Sequence, residues 1–81
     1  MIRMTWYETQ AQPRTLNAKY KNRLFEIVQV EDDDGTKDYH VAEITGPYRF
    51  LGAKKNLRHA KNLANQEVNQ AQAALIEAVV E

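Results

Sequence analysis

The middle of the chain contains two stretches that are rich in β-branched and aromatic residues and are separated by an Asp-Asp-Asp-Gly turn. They cover residues 23–31 and 38–45. Such stretches joined by an Asp-Gly turn are typical of a β-hairpin. A Gly-Pro pair then turns the chain again, so residues 48–51 are predicted to form a short further strand or an extended lead-in to a helix.

The register of this hairpin depends on the length of its turn. A loop of two or four residues places one apolar set on one face of the sheet, namely Phe25, Ile27, Ala42 and Ile44. The other face then carries Val28, Val30, Tyr39 and Val41, with Glu26 opposite Glu43. A three-residue loop would shift the pairing by one position and move side chains to the other face.

A helical pattern occupies the C-terminal third of the chain, from about residue 54 to residue 79. Its apolar residues recur at steps of three and four, which gives one continuous stripe. Asn56 is the predicted N-cap. The stripe is longer than a two-stranded hairpin can cover, so its distal part is predicted to form a homodimer contact through Ala71, Leu75, Ala78 and Val79.

The N-terminal residues 2–8 alternate well enough for a β-strand, with Ile2, Met4 and Trp6 on one side. Residues 9–22 contain a proline and few apolar side chains, so they are predicted to be a loop or mobile arm. The predicted fold class is therefore α+β in a single domain over residues 1–81. Its small antiparallel sheet, made of hairpin 23–31/38–45 and strand 2–8, packs on one long C-terminal helix over about residues 54–79.

Length and composition limit the chemistry of this chain. Its 81 residues are 43% hydrophobic and include neither Cys nor Ser. A chain this short has a thin core, and the two commonest catalytic nucleophiles are missing. No catalytic triad or phosphate-binding glycine loop occurs, so the chain is predicted not to be an enzyme. No long apolar run or signal-peptide pattern is present, which predicts a cytoplasmic protein, in the host cell if it is phage-encoded.

The net charge of zero conceals unlike segments. Eleven basic residues balance eleven acidic ones over the whole chain. Residues 31–43 nevertheless carry six acids and one lysine, whereas residues 44–66 carry five basic residues and no acid. Segregation of this kind indicates partners rather than fold, because a solvated surface usually intersperses the two signs.

Two charged patches are the predicted partner-binding residues. The hairpin turn offers Asp32, Asp33 and Asp34 to a basic partner surface. The helix start offers an anion-binding surface, since its free N–H groups would be backed by Arg49, Lys54, Lys55 and Arg58. The alternative is that these bases are solvated charges of small energetic consequence, since a helix N-terminus itself favours acids.

Nucleic-acid binding, to DNA or RNA, is the alternative function. It would combine basic side chains for the phosphate backbone with aromatic rings for stacking. The residues are Arg14, Lys19, Lys21, Arg23, Tyr48, Phe50 and Lys61, together with the basic helix start at Lys54, Lys55 and Arg58. The balanced overall charge argues against this function, because domains that bind nucleic acid are usually basic.

No metal or cofactor site is predicted. The acidic turn does not fit an EF-hand, because aligning Gly35 with the glycine of that loop puts Val30 and Val41 at ligand positions. His40 would lie near Asp38, but a transition-metal site ordinarily needs more imidazole or thiolate.

The order of the predicted elements resembles a known group of proteins. The hairpin, Phe50-Leu-Gly52 and the run Leu57–Ala64 form a β-β-(β)-α layout over residues 24–66. This layout is similar to small phage and mobile-element proteins, which include anti-restriction and anti-CRISPR inhibitors and arm-type DNA-binding domains. Lys54-Lys55 also faintly resembles the last helix of a double-stranded-RNA-binding domain. The resemblance implies a non-enzymatic protein that blocks or adapts a larger protein or nucleoprotein complex.

Overall fold

The computed structural model describes the backbone of residues 2–80 and the side chains of residues 2–70, and it contains a five-stranded antiparallel sheet followed by a helix. The elements are β1 Tyr7–Ala11, β2 Arg14–Tyr20, β3 Arg23–Glu31, β4 Lys37–Glu43, β5 Arg49–Lys54 and α1 Leu57–Val80. Each strand pairs with the next one along the chain. The predicted α+β class is confirmed, and the segment after the second turn is a strand.

The β3–β4 hairpin lies where it was predicted, but its register differs by one residue. Phe25 pairs with Glu43, and Ile27 pairs with Val41. The cause is a five-residue loop over residues 32–36, which has an odd number of residues. Val41 therefore joins Phe25 and Ile27 on the face that contacts α1, whereas Ala42 lies on the opposite face.

The same shift corrects two further predictions about this hairpin. Tyr39 pairs with Gln29 and packs against the core on the helix side, away from Val28 and Val30. Glu26 pairs with Ala42, so Glu26 and Glu43 lie on opposite faces of the sheet and do not form a carboxylate pair.

Residues 9–22 are not a loop or mobile arm, because most of them form the β1–β2 hairpin. Leu16 and Ala18 explain why: they are 4% and 1% exposed and lie opposite Ile27 and Phe25 on the helix-facing side. The turn of this hairpin contains a cis peptide bond between Gln12 and Pro13. The sequence signal for this strand was the alternation of Leu16 and Ala18 with polar residues, which is short and was missed.

The N-terminal strand predicted over residues 2–8 is also shifted, since β1 begins at Tyr7. Residues 2–6 instead run along α1. The backbone N–H of Ile2 donates to Asn69 Oδ1 at 2.9 Å, and that of Met4 donates to Asn65 Oδ1 at 3.0 Å. Two residues of extended chain advance about 6.7 Å, and four helical residues rise about 6 Å. The step from Ile2 to Met4 therefore matches the step from Asn69 to Asn65, so both hydrogen bonds can form.

The core lies between the sheet and the first half of α1. Its fully buried members are Phe25, Ile27, Val41, Ala60, Ala64 and Val68. Ile2, Met4 and Trp6 pack against this cluster from one side of the N-terminal segment, as predicted. Asn56 caps α1 as predicted, because its Oδ1 accepts the N–H of His59 at 3.2 Å.

Gly52 of β5 lies against Leu63 of α1. Its φ is +155°, and an added Cβ would lie 3.0 Å from Leu63 Cδ2. A side chain at this position would require Leu63 to shift and would adopt a backbone conformation that glycine accommodates best.

Candidate functional site

Four charged side chains join the sheet to α1 at the end of the sheet where β3 begins. Arg23 donates to both carboxylate oxygens of Glu43, at 2.9 and 2.8 Å. Arg49 donates to Glu43 at 2.9 Å and also to Glu67 of the helix. Both arginines are thus engaged by carboxylates of the chain itself, although Arg49 was predicted to bind a partner and Arg23 to bind nucleic acid.

The environment of Glu43 keeps its carboxylate charged. Hydrogen bonds from Arg23, together with those from Arg49 and Thr45, lower the pKa of Glu43 from its ordinary 4.5 to about 2, although burial opposes the shift. In return, hydrogen bonding to Glu43 raises the pKa of Arg23 and of Arg49. This cluster is therefore a structural ion network rather than a proton-transfer site.

The loop between β3 and β4 presents three exposed carboxylates, Asp32, Asp33 and Asp34, which we call the acidic tip. Thr36 orders the loop: its Oγ1 donates to Asp34 Oδ1 at 2.7 Å and lies 3.1 Å from Asp32 Oδ2. Hydrogen bonds from Thr36 also lower the pKa of Asp34. Asp33 forms no such bond among the described residues, so its carboxylate faces solvent alone.

The predicted basic patch at the helix start is not one surface. The antiparallel pairing of β4 with β5 brings Lys55 beside the start of β4, where its Nζ lies 2.8 Å from Asp38 Oδ1. Asp38 chiefly raises the pKa of Lys55, with smaller contributions from Asp32 and Asp34. Lys54, the last residue of β5, pairs with Tyr39 of β4 and is exposed. Lys55 therefore belongs to the surroundings of the acidic tip.

An open groove of about 810 Å³ runs along the contact between residues 3–6 and the first half of α1, and we call it the cationic groove. Its lining residues are Arg3, Met4, Trp6, Leu57, Arg58, Lys61, Asn62, Asn65, Gln66 and Asn69. Three are cations and none is a carboxylate. The indole N–H of Trp6 is buried and has no acceptor among the residues that the structure describes.

Sequence reasoning placed Arg58 and Lys61 together in the nucleic-acid alternative and missed Arg3. The structure brings the three together because residues 2–6 lie along the helix. The signal that could have identified Arg3 was the alternation of residues 2–8, which directs Arg3 away from the core-facing side chains of Ile2 and Met4.

The residues of the nucleic-acid alternative are dispersed. Arg14 pairs with Glu8 at 2.7 Å, and Lys21 lies over the ring of Tyr20 in the β2–β3 turn. Lys19 is exposed on β2, Tyr48 precedes β5, and Lys61 lines the groove. Phe50 packs edge-on against His40 on the face away from the helix, with ring centroids 5.6 Å apart.

The remaining sequence predictions concern metal sites, membrane spans and the dimer contact. No group of three metal-ligating side chains occurs among the described residues, and no helix there has the length and apolar character needed to cross a membrane. The predicted dimer contact, Ala71, Leu75, Ala78 and Val79, lies outside the described side chains. No protein-family model, curated protein or solved structure matches this chain.

Proposed function

We propose that this chain is a non-enzymatic interaction protein whose acidic tip binds a basic surface of a larger protein or nucleoprotein assembly. The supporting observation is the way in which charges are paired. Glu43, Glu67 and Asp38 each form an ion pair with an Arg or Lys. Within the described part of the chain the three aspartates of the acidic tip form no ion pair, so their charge is available to a partner.

The order of the loop favours recognition by this tip. Asp32 N–H donates to the carbonyl of Thr36 at 2.8 Å, and Gly35 N–H donates to the carbonyl of Asp32 at 2.9 Å. A loop that is already ordered loses less conformational entropy on binding. Three adjacent carboxylates also accelerate encounter with a basic surface through long-range attraction.

The resemblance of residues 24–66 to compact phage inhibitors favours an anti-defence protein as the class. The nucleic-acid alternative receives less support, because the basic arm residues it relies on are dispersed along β2, the β2–β3 turn and β3. Arg14 and Arg23 among them are already paired with Glu8 and Glu43.

Charge reversal at Asp33 tests the proposed function with little effect on the fold, because this side chain forms no hydrogen bond within the loop among the described residues. We expect Asp33→Lys to lose the partner that the wild-type chain retains from a lysate of its source cell. The two chains would be immobilised in parallel, and retained proteins would be identified by mass spectrometry. Binding would then be measured with the purified candidate, where a loss of about 1–3 kcal/mol is expected.

Two controls make this result interpretable. Asn22→Lys adds a cation at an exposed residue of the β2–β3 turn, and it should leave retention unchanged. Nuclease treatment distinguishes the nucleic-acid alternative, since retention through DNA or RNA would disappear. Equal binding of the purified partner to wild type and Asp33→Lys would refute the role of the acidic tip.

A further inference from the structure

We propose that the cationic groove binds an extended, acidic segment of a partner protein. This inference goes beyond the proposed function, because it concerns a different surface and a ligand of opposite charge. It rests on an arrangement that the chain already uses for its own N-terminal residues.

The helix holds residues 2–4 by side-chain amides. Asn69 Oδ1 accepts the N–H of Ile2 at 2.9 Å, while Asn69 Nδ2 donates to the carbonyl of Ile2 at 3.0 Å. Asn65, four residues earlier, accepts the N–H of Met4 at 3.0 Å. This face of α1 therefore binds a peptide backbone in the way that a neighbouring strand would, with one amide for every second residue.

A second amide row repeats this spacing on the open side of the groove. Asn62 and Gln66 are also four residues apart, and each lies three residues before a member of the first row. Both side chains are exposed, and neither is hydrogen-bonded within the described residues. They offer two donors and two acceptors to a second extended backbone lying beside residues 2–6.

The charge of the groove selects an acidic ligand. Arg3, Arg58 and Lys61 line it, and none of them has a carboxylate within 4.0 Å in the described part of the chain. Arginine forks bind carboxylates through two parallel hydrogen bonds, which adds specificity to the charge. The part of α1 that lines the groove, from Leu57 to Asn69, rises about 18 Å. An extended peptide of about six residues has this length.

The same observations favour a peptide over a single-stranded nucleic acid. Sequence-tolerant binding of single strands relies on exposed aromatic faces for base stacking. The exposed aromatic side chains are Tyr7, Tyr48 and Phe50, and none lines the cationic groove. Trp6 does line it, but this side chain packs against the core with its N–H buried.

Titration with a synthetic peptide tests the inference directly. The probe is fluorescein-labelled Glu-Thr-Glu-Thr-Glu-Thr, and its control has Gln for every Glu. Binding is followed by anisotropy and, with unlabelled peptide, by the emission of Trp6, the only tryptophan of the chain. We expect the acidic peptide to bind and to change Trp6 emission, and the Gln peptide to bind at least about tenfold more weakly.

Variants locate the binding. Arg3→Gln/Arg58→Gln/Lys61→Gln should weaken it about tenfold or more, whereas Lys19→Gln/Lys37→Gln/Lys54→Gln, three exposed lysines elsewhere, should not. Asn62→Ala/Gln66→Ala should weaken it several-fold with the charge unchanged. Asp33→Lys should bind the peptide like wild type, so this result and the test of the acidic tip are independent.

Four outcomes would overturn the inference. They are no binding of the acidic peptide, equal binding of the two peptides, equal loss in the two triple variants, and displacement of the peptide by a hexanucleotide of lower dissociation constant. The last outcome would assign the groove to nucleic acid. Circular dichroism of each variant establishes that a loss of binding is not a loss of fold.

Discussion

Glu43 shows how much of this fold depends on single polar side chains. Its carboxylate accepts hydrogen bonds from Arg23, from Arg49 and from Thr45, at 2.8–2.9 Å. Its side chain is only 13% exposed, so the charge requires these partners. Because Arg49 also binds Glu67 of α1, the network links β3, β4 and β5 to the helix.

The lowered pKa of Glu43 predicts a specific pH dependence. The folded value of about 2 lies below the ordinary 4.5, so ionised Glu43 stabilises the fold above about pH 4.5, and this stabilisation is lost as pH falls towards 2. We expect Glu43→Gln to lower the free energy of unfolding by on the order of 2–3 kcal/mol at pH 7. Urea denaturation of both chains at pH 7, 4 and 2.5 would measure this difference in the free energy of unfolding.

The quantity that tests this prediction is the difference in free energy of unfolding between wild type and Glu43→Gln at each pH. The difference between the two chains should shrink as pH falls, because wild type also loses its charge there. Glu26→Gln is the matched control, since Glu26 lies on the opposite face and forms no ion pair in the described part of the chain. A difference between Glu43→Gln and wild type that is the same at all three pH values would contradict the assignment.

At the scale of elements, the N-terminal segment is the least conventional feature. Residues 2–6 belong to no strand, yet their apolar side chains complete the core beside α1. The main hydrogen bonds that hold them come from Asn65 and Asn69. Release of this segment would expose part of the core and remove the residues that line one side of the cationic groove.

Removing the amide row should therefore loosen the segment without unfolding the sheet. We expect Asn65→Ala/Asn69→Ala to accelerate hydrogen exchange at the backbone amides of Ile2 and Met4 and to shift Trp6 emission to longer wavelength. Each lost bond costs about 1 kcal/mol. Exchange measured by NMR, with Asn62→Ala as control, checks this. Unchanged protection of Ile2 and Met4 in the double variant would mean that packing alone holds the segment.

The elements that sequence reasoning predicted are those with strong local signals. Residues 23–31 and the helix from Leu57 have long periodic patterns, and Asn56 is a recognisable cap. The register was wrong because composition does not fix whether a five-residue or a four-residue loop closes the turn. β2 was missed because its buried side chains, Leu16 and Ala18, are few and stand between polar residues.

The candidate site was only partly predictable for a related reason. The acidic tip depends on adjacent residues, so sequence alone located it. The cationic groove depends on contacts between residues more than 50 positions apart, such as Met4 with Asn65. Arg49 was assigned to a partner because its two carboxylates, Glu43 and Glu67, become neighbours only after β5 and α1 dock.

At the scale of the whole molecule, folding pairs part of the charge and leaves two separate clusters of opposite sign, the acidic tip and the cationic groove. Ion pairs near the core neutralise Arg23, Glu43, Arg49 and Glu67 among themselves. Lys55 with Asp38, and Arg14 with Glu8, remove two more pairs. Among the described residues, the acidic tip and the cationic groove are the two places where several unpaired charges of one sign lie together, whereas the other unpaired charges are spread over the sheet.

The distal half of α1 supports the remaining prediction, self-association. The helix has 24 residues, about 36 Å, and Val68 is the last buried side chain that the structure describes. The sequence repeats the apolar spacing beyond it, at Ala71, Leu75, Ala78 and Val79. A dimer through this stripe would add buried area to a molecule in which four of the nine buried apolar residues that the structure describes are alanine.

We therefore expect sedimentation equilibrium to show a dimer, and Tm to rise with protein concentration. Leu75→Glu should produce a monomer and remove the concentration dependence, because a charge on the stripe is costly to bury. Gln70→Glu adds the same charge on the other side of the helix and should remain dimeric. A wild-type chain that stays monomeric at high micromolar concentration would refute self-association through this stripe.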